Sequence, residues 1–158
     1  MTLPAILSFE EVLANGIEFE DDVCFSGPYG QEVYDKPMEE GGQPITGILY
    51  ELYENGNPIY YSYYKDGISE GEYVTFYENG QIESYQLMHQ GCVHGTSTSW
   101  FENGKIKSIA EAKYGFKITY KEWDMNGHLL SEKLGPNDFE KTMIEKYDSW
   151  AAESRKQK

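Results

Sequence analysis

The string Tyr53-Glu54-Asn55-Gly56 returns as Tyr77-Glu78-Asn79-Gly80 and again as Phe101-Glu102-Asn103-Gly104. It returns more loosely as Asp124-Met125-Asn126-Gly127. The four glycines stand 24, 24 and 23 residues apart. A second series, Gly67, Gly91 and Gly115, and a third, Gly47, Gly71 and Gly95, keep a spacing of 24. Self-similarity at a fixed period of this length marks a repeat architecture, in which no unit buries its apolar face alone and neighbours must stack.

The chemistry of the repeat says what each unit is. Asn-Gly tolerates φ > 0 at both central positions of a two-residue type I′ hairpin turn. Asn55-Gly56, Asn79-Gly80, Asn103-Gly104 and Asn126-Gly127 are therefore read as hairpin turns. Each is flanked by strand-like residues. Ile48 to Tyr53, Tyr73 to Tyr77 and Ser97 to Phe101 precede them, and Ile59 to Tyr64, Ile82 to Met88 and Ile106 to Ala112 follow. The second glycine series, in Lys65-Asp66-Gly67, His89-Gln90-Gly91 and Lys113-Tyr114-Gly115, marks looser return turns between hairpins. The expected fold is mainly β, an antiparallel meander of tandem β-hairpins with about eight strands over 46–133.

Five residues after the third-series glycines come Leu52, Phe76 and Trp100, and Trp123 holds the same place in the last unit. Equivalent strands thus set a large apolar residue in one row. Tyr53, Tyr77 and Phe101 follow directly and must face the other way, because side chains alternate along a strand. One face is expected to be core and the other a partly exposed tyrosine-rich platform.

The flanks differ from the repeat. Phe139, Met143, Ile144, Tyr147, Trp150 and Ala151 recur at helical spacing after Gly135-Pro136-Asn137. Asn137 fits an N-cap and Glu140 the third helical position, so a C-terminal amphipathic helix is expected over about 138–155, capping the sheet within 134–158. The segment 1–45 reads as a mixed N-terminal cap. Ser8 to Glu11 resembles a capping box before a short helix ending near Gly16, residues 17–25 read as one further strand, and the Gly- and Pro-rich stretch 27–45 reads as loop. Cap, repeats and helix form one domain overall, as a chain of 158 residues suggests.

Charge narrows the partners. Residues 1–104 hold 18 Asp/Glu against two Lys, a net −16, whereas residues 105–158 hold nine Asp/Glu against 11 Lys/Arg, a net +2. Nucleic acid and anionic membrane leaflets are poor partners for such a surface, since both need clustered Lys and Arg. A basic protein is favoured. The opening stretch MTLPAILSFEEVL lacks a basic region and a long apolar run, and no stretch approaches the roughly 20 apolar residues of a spanning helix. The expectation is a soluble cytoplasmic protein.

No catalytic, cofactor or metal constellation emerges. His89, His94 and His128 complete no zinc spacing with Cys or acids. His89 and His94 read as turn residues. Cys92 stands where other units carry Ile68 and Phe116 and reads as an apolar packing position rather than a nucleophile. Asp21-Asp22 and Glu39-Glu40 read as solvated acidic runs. Phosphate-loop and nucleophile-elbow glycine patterns are absent, and the glycines are accounted for by turns. Nine of the 14 tyrosines lie between 50 and 85, interleaved with carboxylates. Tyrosine is enriched at binding hot spots. The expected contact set is Tyr50, Glu51, Tyr61, Tyr63, Asp66, Glu70, Glu72, Tyr73 and Glu78, an acidic surface suited to a basic cleft.

The aromatic-Glu-Asn-Gly turn, the following Lys65-Asp66-Gly67 with Gly71 and His89-Gln90-Gly91 with Gly95, and the lead-in Pro44-Ile45-Thr46-Gly47 resemble the variant MORN (membrane occupation and recognition nexus) repeat. The size and layout resemble the YwqK-type bacterial antitoxin family. The match covers about 44–133 and departs from the pattern at Ile118, where a glycine is expected, and at Asp124-Met125. The resemblance implies an immunity protein that neutralises a cognate toxin domain by direct binding, the toxin being often a nuclease or nucleotide deaminase. It implies no enzyme activity. The alternative is a MORN-type structural or scaffolding module, with lipid association as its variant. Neither reading settles the oligomeric state.

Overall fold

The computed structural model describes residues 4–20 and 22–156. Asp21 of the Asp21-Asp22 pair and the first three residues of the opening stretch lie outside them. Helix α1 (Phe9–Asn15) leads into β1 (Ile17–Glu18), β2 (Cys24–Ser26), β3 (Glu32–Tyr34) and a 3-10 turn at Met38–Glu40. The repeat follows as β4 (Gly47–Leu52), β5 (Pro58–Lys65), β6 (Ile68–Phe76), β7 (Ile82–His89), β8 (Cys92–Trp100), β9 (Ile106–Lys113), β10 (Phe116–Trp123) and β11 (Leu129–Lys133), and helix α2 (Asp138–Lys156) closes the chain. Strands β4 to β11 form the expected antiparallel meander, with β1 added in parallel beside β4. The stretch 27–45 is more ordered than a loop. Strand β3 pairs with β2, and the Val33 and Ile45 backbones bond to Gly67, fastening the segment to the first return turn.

The two kinds of turn are the reverse of the expectation. In the return turns both central residues are left-handed: Asp66 and Gly67 at φ 50° and 83°, Gln90 and Gly91 at 50° and 82°, Tyr114 and Gly115 at 52° and 85°. These are the tight two-residue hairpins. At the Asn-Gly turns only the glycine is left-handed, with Gly56 at φ 91°. Its N–H donates to the Tyr53 carbonyl at 2.9 Å, and the register slips by one residue between Glu51 and Leu52. That is a type I turn closed by a glycine bulge. Asparagine is chosen here for its side chain. The Asn55, Asn79 and Asn103 carboxamide oxygens each accept from the backbone N–H two residues on, at 2.9–3.0 Å. In the divergent last unit the Asp124 carboxylate takes over, accepting from the Asn126 and His128 N–H groups at 2.9 Å.

Two members of the third glycine series, Gly71 and Gly95, make bulges. Ser62 pairs with Tyr73 and Tyr64 with Ser69, so Tyr63 alone faces Glu70, Gly71 and Glu72. Gly71 adopts φ 95° and Gly95 φ 120°, where a side chain would be strained. At the equivalent place Ile118 keeps a negative φ, and Lys117 and Thr119 flank one extra residue instead of two.

Neighbouring units are stitched at the Asn-Gly end. The Tyr53 hydroxyl donates to the Phe76 carbonyl and the Tyr77 hydroxyl to the Trp100 carbonyl, both at 2.7 Å. The side chains of Asn55 and Asn57 donate to the Glu78 carbonyl at 2.8 and 3.0 Å.

Both sheet faces carry a core in the first units. On one face Tyr50, Tyr61, Val74, Phe76, Ile82 and Trp100 pack beneath Val12 of α1. Phe9 meets Phe76 edge-on at 5.1 Å. A capping box between Ser8 and Glu11 starts this helix as expected. On the other face Val33, Ile45 and Leu49 form a smaller cluster, with Phe19, Val23 and Tyr64 against it. Helix α2 begins with a reciprocal bond pair: Glu140 N–H to the Asn137 side chain at 2.8 Å, and Asn137 N–H to the Glu140 carboxylate at 2.9 Å. It rests on the return-turn end through Phe139 on Phe116, Tyr147 on Tyr114, and Asp148 bonded to Tyr114 and Lys113.

Candidate protein-binding surface

The nine expected contact residues divide between the two faces and the two ends of the sheet. Tyr50, Tyr61, Tyr63 and Glu72 lie on the face that α1 covers. Tyr61 is fully buried and Tyr50 nearly so, and both serve the core rather than a surface. The Tyr61 hydroxyl accepts from the Leu7 N–H at 3.0 Å and donates to Glu72 at 3.2 Å. The tyrosine that packing places here is thus a strut between sheet and cap. Burial, and then the Glu72 carboxylate, raise the Tyr63 and Tyr85 hydroxyls above the usual tyrosine range. Tyr63 and Glu72 remain partly accessible.

The opposite face presents Glu51 and Tyr73. Tyr60 stacks on Tyr73, ring centres 5.6 Å apart and planes within 14°. Glu51 is the cross-strand partner of Tyr60. Burial, with the Glu51 carboxylate next, pushes the Tyr60 hydroxyl well above its ordinary range. The result is a half-buried aromatic plate edged by a carboxylate. Beyond it this face is shallow. Thr75 and Ser84 hydroxyls meet at 2.6 Å, and those of Ser99 and Ser108 at 2.5 Å two strands on. The pairing of each tyrosine doublet with two opposite faces follows from strand alternation.

The remaining carboxylates mark the sheet ends. Asp66 is exposed in the first return turn and bonds Thr46. Glu70 receives the Gln90 N–H and a His89 ring nitrogen, both at 2.7 Å. Burial would raise its carboxyl, but those two partners hold it below the usual range. At the other end Glu54, Glu78 and Glu102 are exposed at equivalent places in three successive turns, an acidic ridge along the sheet margin. The 24-residue spacing carried this ridge in plain sight, but only Glu78 of the three stood in the expected contact set.

The histidines and Cys92 occupy the return-turn end. His89, His94, Tyr114, Tyr147 and Trp150 form a chain of ring contacts at 5.0–5.8 Å. Burial, and then the neighbouring His89 and Lys113, lower His94 below the ordinary histidine range. Cys92 is exposed, not packed as expected, because it flanks a two-residue turn at the sheet margin, where Ile68 is also 38% exposed. Among the described residues no group of three or more His, Cys, Asp or Glu is placed to hold a metal ion. No helix among them is long and apolar enough to cross a membrane.

Stacked β-hairpins with glycine bulges, stitched turn to turn, define a hairpin-repeat protein. The MORN repeat variant matches this chain at residues 45–66, 69–89 and 93–114. The chain is 53% identical over 123 residues to the immunity protein YwqK of Bacillus subtilis (strain 168), an alignment spanning 78% of this chain and 79% of that protein. The chain belongs to the YwqK family of MORN-variant proteins. No solved structure matches it.

Proposed function

We propose that this chain is a bacterial immunity protein that acts in the cytoplasm, catalyses nothing, and neutralises a cognate toxin by binding it directly. The observation that carries the reading is the 53% identity with a protein named for immunity, extending well beyond the three matched repeats. The net −16 of residues 1–104 supports a basic partner surface, such as the substrate channel of a nuclease or nucleotide deaminase. Of the expected contact residues, Glu51, Tyr63, Asp66, Glu70, Glu72, Tyr73 and Glu78 keep side chains within reach of solvent. They present acidic, tyrosine-bearing patches on both faces and both ends of the first two units.

The test is co-expression with a candidate toxin taken from a neighbouring open reading frame. Glu51→Lys with Glu78→Lys alters one face and the turn ridge. Asp66→Lys with Glu70→Lys alters the return-turn end. Loss of growth rescue in one pair, with 1:1 binding weakened and salt-sensitive, assigns the contact end. Full rescue by both pairs refutes the acidic-surface reading.

A further inference from the structure

The first three members of the row Leu52, Phe76, Trp100 and Trp123 join the core cluster that includes Val12 of α1, and the fourth, Trp123, is half-buried outside it. Against the fourth, an open hollow of about 850 Å³ lies over Ile106, Ile109, Trp123 and Leu134. Leu134, which lines it, is 80% exposed, and Leu129, the cross-strand partner of Trp123, is 51% exposed. Contiguous apolar exposure of this kind in a soluble fold marks a binding site.

We propose that this hollow is a docking site for an acidic amphipathic helix of a partner protein. The inference goes beyond the proposed function and stands without it. Two observations select the occupant. First, the chain carries its own example: α1 covers the same row with Phe9 and Val12, while Glu10 and Glu11 occupy its first turn. Equivalent positions of a repeat offer equivalent surfaces, so the fourth unit suits a helix of the same type. Second, the margin of the hollow is basic in a strongly acidic protein. Lys105 and Lys121 are both exposed there. Lys121 only loosely approaches Glu132, at 3.8 Å, and Lys105 donates to the Met125 carbonyl at 3.3 Å. The nearby Asp124 carboxylate is turned to its own loop, accepting the Asn126 and His128 N–H groups. A helix flanked by carboxylates completes those lysines, and a basic one is repelled.

A synthetic peptide of residues 4–16 of this chain is a probe of the required type. Titrated into the full-length protein and followed by calorimetry, it should bind 1:1. Lys105→Glu with Lys121→Glu, both on the surface and tolerable to the fold, should weaken binding by roughly tenfold or more. A peptide carrying Glu10→Lys and Glu11→Lys should recover affinity for that variant. Ile109→Glu, checked for folding by circular dichroism, should abolish binding. Absence of binding overturns the proposal. So does binding indifferent to these substitutions, because the peptide would then be exchanging with α1. A dimer of the protein alone that Lys121→Glu disperses also overturns it, since a second copy would then fill the hollow.

Discussion

Tyr53, Tyr77 and Phe101 occupy one repeat position, and their difference is a single oxygen. The first two hydroxyls reach the carbonyls of Phe76 and Trp100 in the following units. Phe101 has no such atom, and it precedes the unit that departs furthest from the pattern. An intramolecular hydrogen bond of this kind contributes about 1 kcal/mol. Tyr77→Phe is therefore expected to lower stability by about 1 kcal/mol in urea unfolding. Phe101→Tyr, whose hydroxyl would meet the Trp123 carbonyl in the same register, is expected to raise it by roughly 0.5 kcal/mol. The aromatic residue was legible in the sequence as a strand end. Its hydroxyl bond was not, because the partner lies in the next unit and periodicity speaks only of position. The turns teach a related lesson. Asn-Gly predicts a left-handed pair, but here asparagine acts through its side chain, and the left-handed pairs are Asp66-Gly67, Gln90-Gly91 and Tyr114-Gly115. Gln90 pays the strain of φ 50° without being a residue suited to it. Gln90→Asn should leave its backbone bond to Glu70 in place and stabilise the protein by roughly 0.5 kcal/mol, read as a higher urea midpoint.

Helix α2 was legible as an element, from its apolar spacing and its Asn137–Glu140 cap, because both are local. Its seat was not, since it depends on Tyr114 and Lys113, residues of a turn that the sequence marks only by Gly115. The Tyr114 hydroxyl and then the Lys113 ammonium hold the Asp148 carboxyl below its ordinary range. Lys133 and the Asn137 N–H do the same for Glu140. A carboxyl depressed in the folded state contributes stability above its unfolded pKa of about 4 and loses it as pH falls through the depressed value. The seating of α2 should therefore be constant from neutral pH down to about pH 4 and loosen below it. Trp150, which meets Tyr147 edge-on, reports the event. Its fluorescence should change in the acid limb before the β-sheet signal in circular dichroism does. Asp148→Asn should show the loosened signal at every pH, because its amide no longer offers a charge to Lys113.

At the scale of the whole molecule, the sequence announces what repeats and hides what does not. The meander, its span and its stacked apolar row follow from glycine spacing. The segment 17–45, with β1 parallel to β4 and β3 tied to Gly67, has no period to betray it and is placed by contacts distant in sequence. Charge follows the same division: the acidic units come first and the near-neutral ones last, so the acidic surface was visible as composition while its distribution over two faces was not. A repeat array is quasi-one-dimensional, each unit resting on its neighbours. Removing residues 92–115, one whole period, would join Gly91 to Phe116, the residue equivalent to Cys92. The return turn Gln90-Gly91 is preserved, β10 takes the place of β8 beside β7, and Trp123 falls where Trp100 stood beneath α1. The shortened chain is expected to fold into a seven-stranded sheet that unfolds in one cooperative step. The urea dependence scales with the surface exposed on unfolding, so its m-value should fall by roughly 15%, in proportion to the length removed. A cut of half that length, residues 92–103, joins Gly91 to Gly104, which are unlike positions, and sends apolar side chains to the wrong ends of their strands. That variant is expected to aggregate or stay unfolded by circular dichroism. Equal behaviour of the two deletions would mean that the 24-residue period is not the folding unit.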